Sequence, residues 1–576
     1  MTEYRPPLEN LRFILNDVLH WDQLFSTPDY AHVDAELGDA VLTAAADFIS
    51  AVLAPTRQIG DEQGSRLLDG LVVTPDGFKE AYHKYAELGW IGLDMPEEYG
   101  GQDLPLVLQA AVAEMVNGAS VPFGMLTLMG RAAARLLIAH ADAGLKGQVV
   151  PRLVSGEWAA TICITEADAG SDVGRVRSMA KPVQGRNYAV SGTKIFITFG
   201  DQDVTDQICH IVLARTPGGQ PGTRGLSLFL VPKISFDSGK PNRISISRIE
   251  HKMGLKASPT CVVDFDGAEG ILIGAEGEGL KVLFAMVNTM RLEVAIQGVA
   301  IAGAATAKAL EYAAERLQGG SPSGPAVPLI EHVDVRRMLL IMRSRTEAMR
   351  ALVMEAACNL DLARTAASDE ERDKARAMAD WLLPVCKACC SEAGFEVANL
   401  AVQVLGGYGY VSDYGVEQYV RDSRIMSIYE GTNGIQALDL VTRKLSKGGG
   451  QQYRQFAARI RADLASAGQS PIHEAVASAL DQLDQCSAVL LERMAENSRD
   501  AEAGAGAYLA LVGLVAGGWM WLRMSGVVSP QQLIRQQLAT FYAEYLMAES
   551  GTLQKRALSR AALYDSLSAE ELIRRT

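Results

Sequence analysis

Apolar positions along this chain change their period twice. Up to about residue 160 they recur at helical spacing: 40–52 is Ala-rich, and Phe78, Tyr82, Tyr85 and Leu88 stand at i, i+4, i+7 and i+10. Pro96-Glu97-Glu98-Tyr99-Gly100-Gly101 interrupts the pattern, and further helices are predicted over 104–118 and 122–155. After Trp158 the segments 159–165, 186–199, 206–216, 225–233, 242–250 and 260–267 are short and β-branched, with Gly, Pro, Asp or Asn between them. Ile244-Ser245-Ile246-Ser247 alternates with period two, the mark of a half-buried strand. Helical periodicity returns over 281–318, 331–366, 370–398 and 434–446, and again over 453–576 beyond the linker-like Gly448-Gly449-Gly450. The predicted class is α+β, mostly α. It comprises an N-terminal helical domain (1–158), a small central antiparallel β-barrel or sandwich (159–275), a C-terminal helical bundle (276–447) and an appended helical domain (451–576).

A chain of 576 residues is too long for one compact core, which agrees with several domains. The net charge of -14 argues against nucleic acid as the main partner, since phosphate binding needs clustered Lys and Arg. Met1-Thr2-Glu3-Tyr4-Arg5-Pro6-Pro7 has no apolar signal region, so a cytoplasmic location is expected. The cluster Cys386-Lys387-Ala388-Cys389-Cys390 lacks a second ligand pair elsewhere, and the eight cysteines read as reduced thiols with no metal site. Residues 503–522 carry no charge, but Ala and Gly dominate them. A buried packing or dimer-interface helix is expected there rather than stable membrane insertion.

The chemistry is concentrated in Tyr429-Glu430-Gly431-Thr432-Asn433. Glycine is poor helix interior, so this string presents one carboxylate from a break between helices, where a general base is often carried. A solitary Glu is more often a solvated surface residue. Two distant strings alter that balance: Cys163-Ile164-Thr165-Glu166-Ala167-Asp168-Ala169-Gly170-Ser171-Asp172 and Gly192-Thr193-Lys194-Ile195-Phe196-Ile197-Thr198.

Together the three strings resemble the acyl-CoA dehydrogenase family, and the resemblance runs to about residue 445. It implies FAD held between a barrel and a second helical bundle, and oxidation of an acyl-CoA thioester to a trans-2-enoyl-CoA. Glu430 takes the place of the family's catalytic base. A second family position for that base falls on Met290, which cannot accept a proton. Ile164, Thr165, Gly170 and Ser171 match the flavin-contacting loop, and Phe196 and Thr198 a Trp-x-Thr element whose aromatic stacks on the flavin. Taken alone, Phe196 reads as strand core. Arg316 matches an Arg that reaches the FAD pyrophosphate across a subunit interface, Gln403 to Gly407 an adenosine-side turn, and Thr432 a further FAD contact. Ser171, Asn288 and Arg291 match substrate-lining positions.

The resemblance also implies a homodimer and an electron-transfer flavoprotein as acceptor. The extra C-terminal segment is similar to a large branch whose substrates include 3-methylmercaptopropionyl-CoA. Acyl length, straight or thioether-bearing, stays open. Nicotinamide chemistry is disfavoured, because Gly298-Val299-Ala300-Ile301-Ala302-Gly303 lies inside a helical pattern instead of opening one. An acyl-CoA oxidase shares the same features. A nucleic-acid-binding alkylation-response flavoprotein would require a basic appended domain, whereas 451–576 holds 12 Lys/Arg against 13 Asp/Glu.

Overall fold

The computed structural model describes residues 4–574 and divides into two compact units. The first is Met1–Pro6 with Ala40–Met290; the second is Pro7–Asp39 with Arg291–Thr576.

The first unit combines helices with a mixed sheet. Leu106–Ala119 and Val121–His140 are buried almost all round, as their Ala- and Leu-rich sequences require. Ala143–Ser155 starts where the Asp142 carboxylate accepts from the Leu145 N–H. A short antiparallel hairpin, β1 (Arg66–Leu68) and β2 (Leu71–Val73), lies among the helices, where the helical reading foresaw no strands. Seven further strands follow: β3 (Trp158–Cys163), β4 (Met179–Gln184), β5 (Asn187–Thr198), β6 (Gln207–Arg215), β7 (Leu226–Pro232), β8 (Ile244–Ile249) and β9 (Thr260–Ile273).

These seven form one sheet in the order β3-β6-β4-β5-β9-β7, with β8 on β9 and a further β6–β7 pairing. The pairings return on themselves, but β4 meets β6 only at Met179 and Arg215. The expected antiparallel arrangement is corrected at that edge, because β3 and β4 both run parallel to β6. Periodicity missed β4 because Pro182 sits in it and most of its side chains are exposed. All of β7 is buried, so it reads as a continuous apolar run, whereas β8 alternates.

The second unit is helical. Gly279–Glu315 supplies its later turns from Arg291 onward; Val333–Thr365 and Asp369–Leu405 pack beside it. Asp369–Leu405 begins at a capping box in which Ser368 and Glu371 satisfy each other's backbone. The triple glycine is a tight turn, with φ of 57°, 59° and 90° at Gly448, Gly449 and Gly450, and helices resume at once. By length and composition four helices among the described residues could cross a membrane. One is Ser498–Gly526, whose apolar window is 78% buried inside the protein. Its Trp519 and Trp521 are fully buried and donate to Asp463 Oδ2 (2.7 Å) and to the Ser344 carbonyl (3.0 Å). The elements packed around this helix thus bury what the sequence left uncharged. Cys386 and Cys390 are buried cysteines of Asp369–Leu405, outside any disulfide.

Candidate active site

Each unit carries a distinct part of the constellation. In the first, Ile164 and Thr165 leave β3, and Gly170 and Ser171 form an exposed turn before Val173–Arg175. Two bonds tie this loop to the end of β5: the Ile195 N–H donates to the Thr165 carbonyl (2.9 Å), and Lys194 Nζ to the Ile164 carbonyl (2.9 Å). Lys194, fully buried, also pairs with Glu166 at 2.8 Å, and Glu166 accepts from the Arg177 N–H and from Ser178. Burial pushes the Glu166 carboxyl up, but Lys194 and these donors more than offset it and hold it below its usual range.

The β5–β9 register slips between Lys194 and Ile197. A bulge there turns Ile197 inward (2% exposed) and Phe196 outward (60% exposed). Phe196 holds a φ of 60°, a costly conformation for an aromatic residue. The strand-core reading of Phe196 is therefore wrong: its ring is displayed, and Thr198 two residues on is half-buried. Asn288 is half-buried on Gly279–Glu315 in the same unit.

In the second unit Glu430 follows a one-turn helix, Arg424–Ser427, and precedes Asn433–Asp439. It too holds positive φ, 55°, followed by Gly431 at 86°. At that φ any Cβ is strained, and one on Gly431 would also lie 2.9 Å from Gln436 Nε2, so glycine is favoured there. Gln436 Nε2 donates to the carbonyls of Glu430 (3.3 Å) and Gly431 (3.1 Å). Tyr429 Oη donates to Gln297. Lys387, buried in Asp369–Leu405, donates to the Gly431 carbonyl (2.8 Å) and to Asn433 Oδ1 (3.0 Å).

Among the described residues neither the Glu430 carboxylate nor its backbone N–H has a hydrogen-bond partner. The residue is open to solvent, yet protein packed around its carboxyl raises the pKa from 4.5, while Lys387 pulls the other way. This is an ionisable group held ready, not one used for structure.

Thr432 caps Asn433–Asp439 by accepting from the Ile435 N–H (3.2 Å), which leaves its hydroxyl proton to donate elsewhere. Arg291 is buried and its Nη1 donates to Asp439 (2.7 Å), so that end of the guanidinium is committed; its Nε has no partner among the described residues. Met290 is buried and Glu293 lies buried further along the same helix. Arg316 is exposed, its guanidinium 5.7 Å from the centre of the Tyr408 ring, which brings it beside Gly407. Gln403 is exposed in the last turn of Asp369–Leu405. Positive φ belongs to Gly406 (63°) rather than Gly407, and a Cβ on Gly407 would meet nothing within 4 Å. In the first unit the outward aromatic at Phe196, with the hydroxyls of Thr165 and Thr198 uncommitted among the described residues, fits an aromatic ring system. In the second, the exposed backbone at Gly407 leaves room for a polar group to approach.

Sequence reasoning missed Lys387, Asn433, Gln436 and Gln297. Lys387 was hidden in the cysteine cluster; an uncompensated Lys within an apolar helical run was the available signal.

Comparison with known proteins identifies the family. The family models described as acyl-CoA dehydrogenase N-terminal, middle and C-terminal domains match residues 38–157, 161–268 and 277–445. The chain belongs to the acyl-CoA dehydrogenase family. A further model, acetyl-CoA dehydrogenase C-terminal like, matches 456–564 of this acyl-CoA dehydrogenase. It is 40% identical over 95% of its length to the 3-methylmercaptopropionyl-CoA dehydrogenase of Ruegeria pomeroyi, 94% of which is covered. It is 34% identical over 78% of its length to a butyryl-CoA dehydrogenase of Syntrophomonas wolfei, 77% of which is covered.

Among solved structures, ACDH-11 of Caenorhabditis elegans in complex with C11-CoA covers 100% of the chain and 96% of its own at a TM-score of 0.79, and at 20% identity shows the shared fold. A chain from the structure of the electron transferring flavoprotein of Acidaminococcus fermentans is 28% identical at a TM-score of 0.59, covering 71% of this chain and 97% of its own.

Proposed function

We propose that this acyl-CoA dehydrogenase removes an α-proton and a β-hydride from a short acyl-CoA thioester, with Glu430 as the base, and that 3-methylmercaptopropionyl-CoA is the first substrate to test. The observation that carries the reading is the Glu430 carboxylate, unpartnered, of raised pKa, and presented from a left-handed residue that the surrounding loop pins. A base shifted upward is better matched to a weakly acidic carbon. As the proton passes to a carboxylate oxygen of Glu430, the electron pair of the α C–H bond forms the new double bond. The free backbone N–H of Glu430 is available to the thioester carbonyl, where it would stabilise developing enolate charge.

FAD, when bound, supplies the acceptor for the hydride, which no side chain can provide. Phe196, Thr165, Ser171 and Thr198 are the first unit's candidates for contacts to it, and Thr432, Gln403, Gly407 and Arg316 are the second unit's own candidates. In keeping with the family resemblance, two copies would assemble so that Arg316 serves the partner's cofactor. Electrons then leave to an electron-transfer flavoprotein, in keeping with the family and with the solved structure from Acidaminococcus fermentans.

Anaerobic mixing with a panel of acyl-CoAs tests the reading. Rapid loss of the visible flavin absorbance with one thioester, and a drop of about 10²–10⁴-fold in that rate in Glu430→Gln, is the expected result. Bleaching that survives in Glu430→Gln removes the base assignment. Peroxide release during turnover in air would instead establish an oxidase.

A further inference from the structure

Lys387 is a polar group of the site region that the reaction above leaves without a role. It is fully buried, and its ammonium reaches the loop of the base rather than a carboxylate: the Gly431 carbonyl at 2.8 Å and Asn433 Oδ1 at 3.0 Å. Asn433 is fixed in turn by Ser391 Oγ (3.0 Å) and Glu392 (2.6 Å), both on the helix that carries Lys387. The loop so clamped holds two consecutive positive-φ residues, Glu430 and Gly431, a conformation that persists only when its surroundings over-determine it.

We infer that Lys387 is a positioning residue for the base, clamping the Gly431 carbonyl and Asn433 so that Glu430 is presented, and setting a positive charge behind the Glu430 carboxylate. The inference rests on the reading of Glu430 as the base. Burial brings the Lys387 ammonium down to about 8, against the pull of Glu430 and Glu392, and Arg291 pushes it the same way as burial. Arg291 is itself paired with Asp439, and Tyr429, beside Glu430, is pushed up by burial and by Glu430 and Asp422. A Lys depressed in this way contributes stability above its ordinary 10.5 that is lost as pH falls through about 8. At neutral pH its charge therefore costs the fold something, which a purely structural post would avoid by being neutral.

The test is the pH dependence of kcat/KM with butyryl-CoA and 3-methylmercaptopropionyl-CoA in Lys387→Met and Lys387→Arg. Without the cation the acid limb moves up by about one pH unit, and Lys387→Arg brings it back towards wild type. The carboxyl C=O stretch that disappears in Glu430→Gln, followed by infrared difference spectroscopy against pH, shows the same displacement without turnover. A Lys387→Met limb and infrared midpoint that coincide with wild type overturn the inference.

Should Lys387→Met fail to fold, Asn433→Leu decides. It keeps the charge and removes one acceptor, so kcat falls at least about tenfold through misplacement of Glu430 while the limb stays put. An unchanged kcat there overturns the inference as well. Failure of the base reading is distinguishable, because Glu430→Gln would then still bleach.

Discussion

Two residues of the site, Glu430 and Phe196, adopt backbone conformations that their side chains disfavour. Strain of this kind persists where function selects against relief, and it can be released by mutation. Phe196→Gly removes both the strain and the displayed ring. The apoprotein should melt no lower than wild type, while FAD should dissociate on the order of tenfold more readily, as measured by flavin fluorescence after dilution. Glu430 makes a related prediction through pH. Its folded pKa lies above 4.5, so its contribution to stability is complete below 4.5 and lost as pH rises through the folded value. Glu430→Gln lacks this penalty. Its melting temperature, relative to wild type, should therefore climb between pH 4 and pH 7 even as turnover is abolished.

At the scale of elements, crossings and ties place these residues. Gly298 and Gly394 meet where Gly279–Glu315 crosses Asp369–Leu405: a Cβ on Gly298 would lie 2.2 Å from the Cys390 carbonyl oxygen. The glycine pattern that mimics a nucleotide turn is thus a packing notch between the helices bearing Arg291 and Lys387. Gly298→Ala should cost about 1–3 kcal/mol in denaturant unfolding, since the backbones must separate. In the first unit the Lys194–Glu166 pair joins the two strings matched to the flavin. Lys194→Met strands a nearly buried carboxylate and should cost about 3 kcal/mol, with flavin lost in proportion. If unfolding is unchanged, the pair is not what ties the β3 loop to β5.

For the molecule as a whole, the segment beyond Gly450 falls within the second compact unit. Arg523 pairs with Glu355 at 2.7 Å and donates to the Val18 carbonyl at 2.6 Å, and Trp521 reaches Ser344. Truncation after Gly450 uncovers the face of Val333–Thr365 against which these residues pack. The shortened protein should aggregate on expression. The single change Trp521→Ala should cost about 3–5 kcal/mol in the same unfolding assay. A soluble, active 1–450 fragment would show that the segment is dispensable to the fold.

The sequence by itself determined the order of helical and strand regions, since burying one face imposes a period of 3.6 or 2 on any chain that packs. It also marked Glu430, because Gly after a carboxylate disfavours helix interior and two distant strings match the same family. Tertiary structure alone decided the parallel pairing of β3 and β4 with β6, for pairing direction leaves no trace in the period of one strand. The outward turn of Phe196 likewise depends on a bulge set by the register with β9. Lys387 is 43 residues before Glu430 in the chain, and only the fold brings its ammonium to the carbonyl of the next residue, Gly431. Long-range hydrogen bonds of that kind are made by the fold, and no local pattern can announce them.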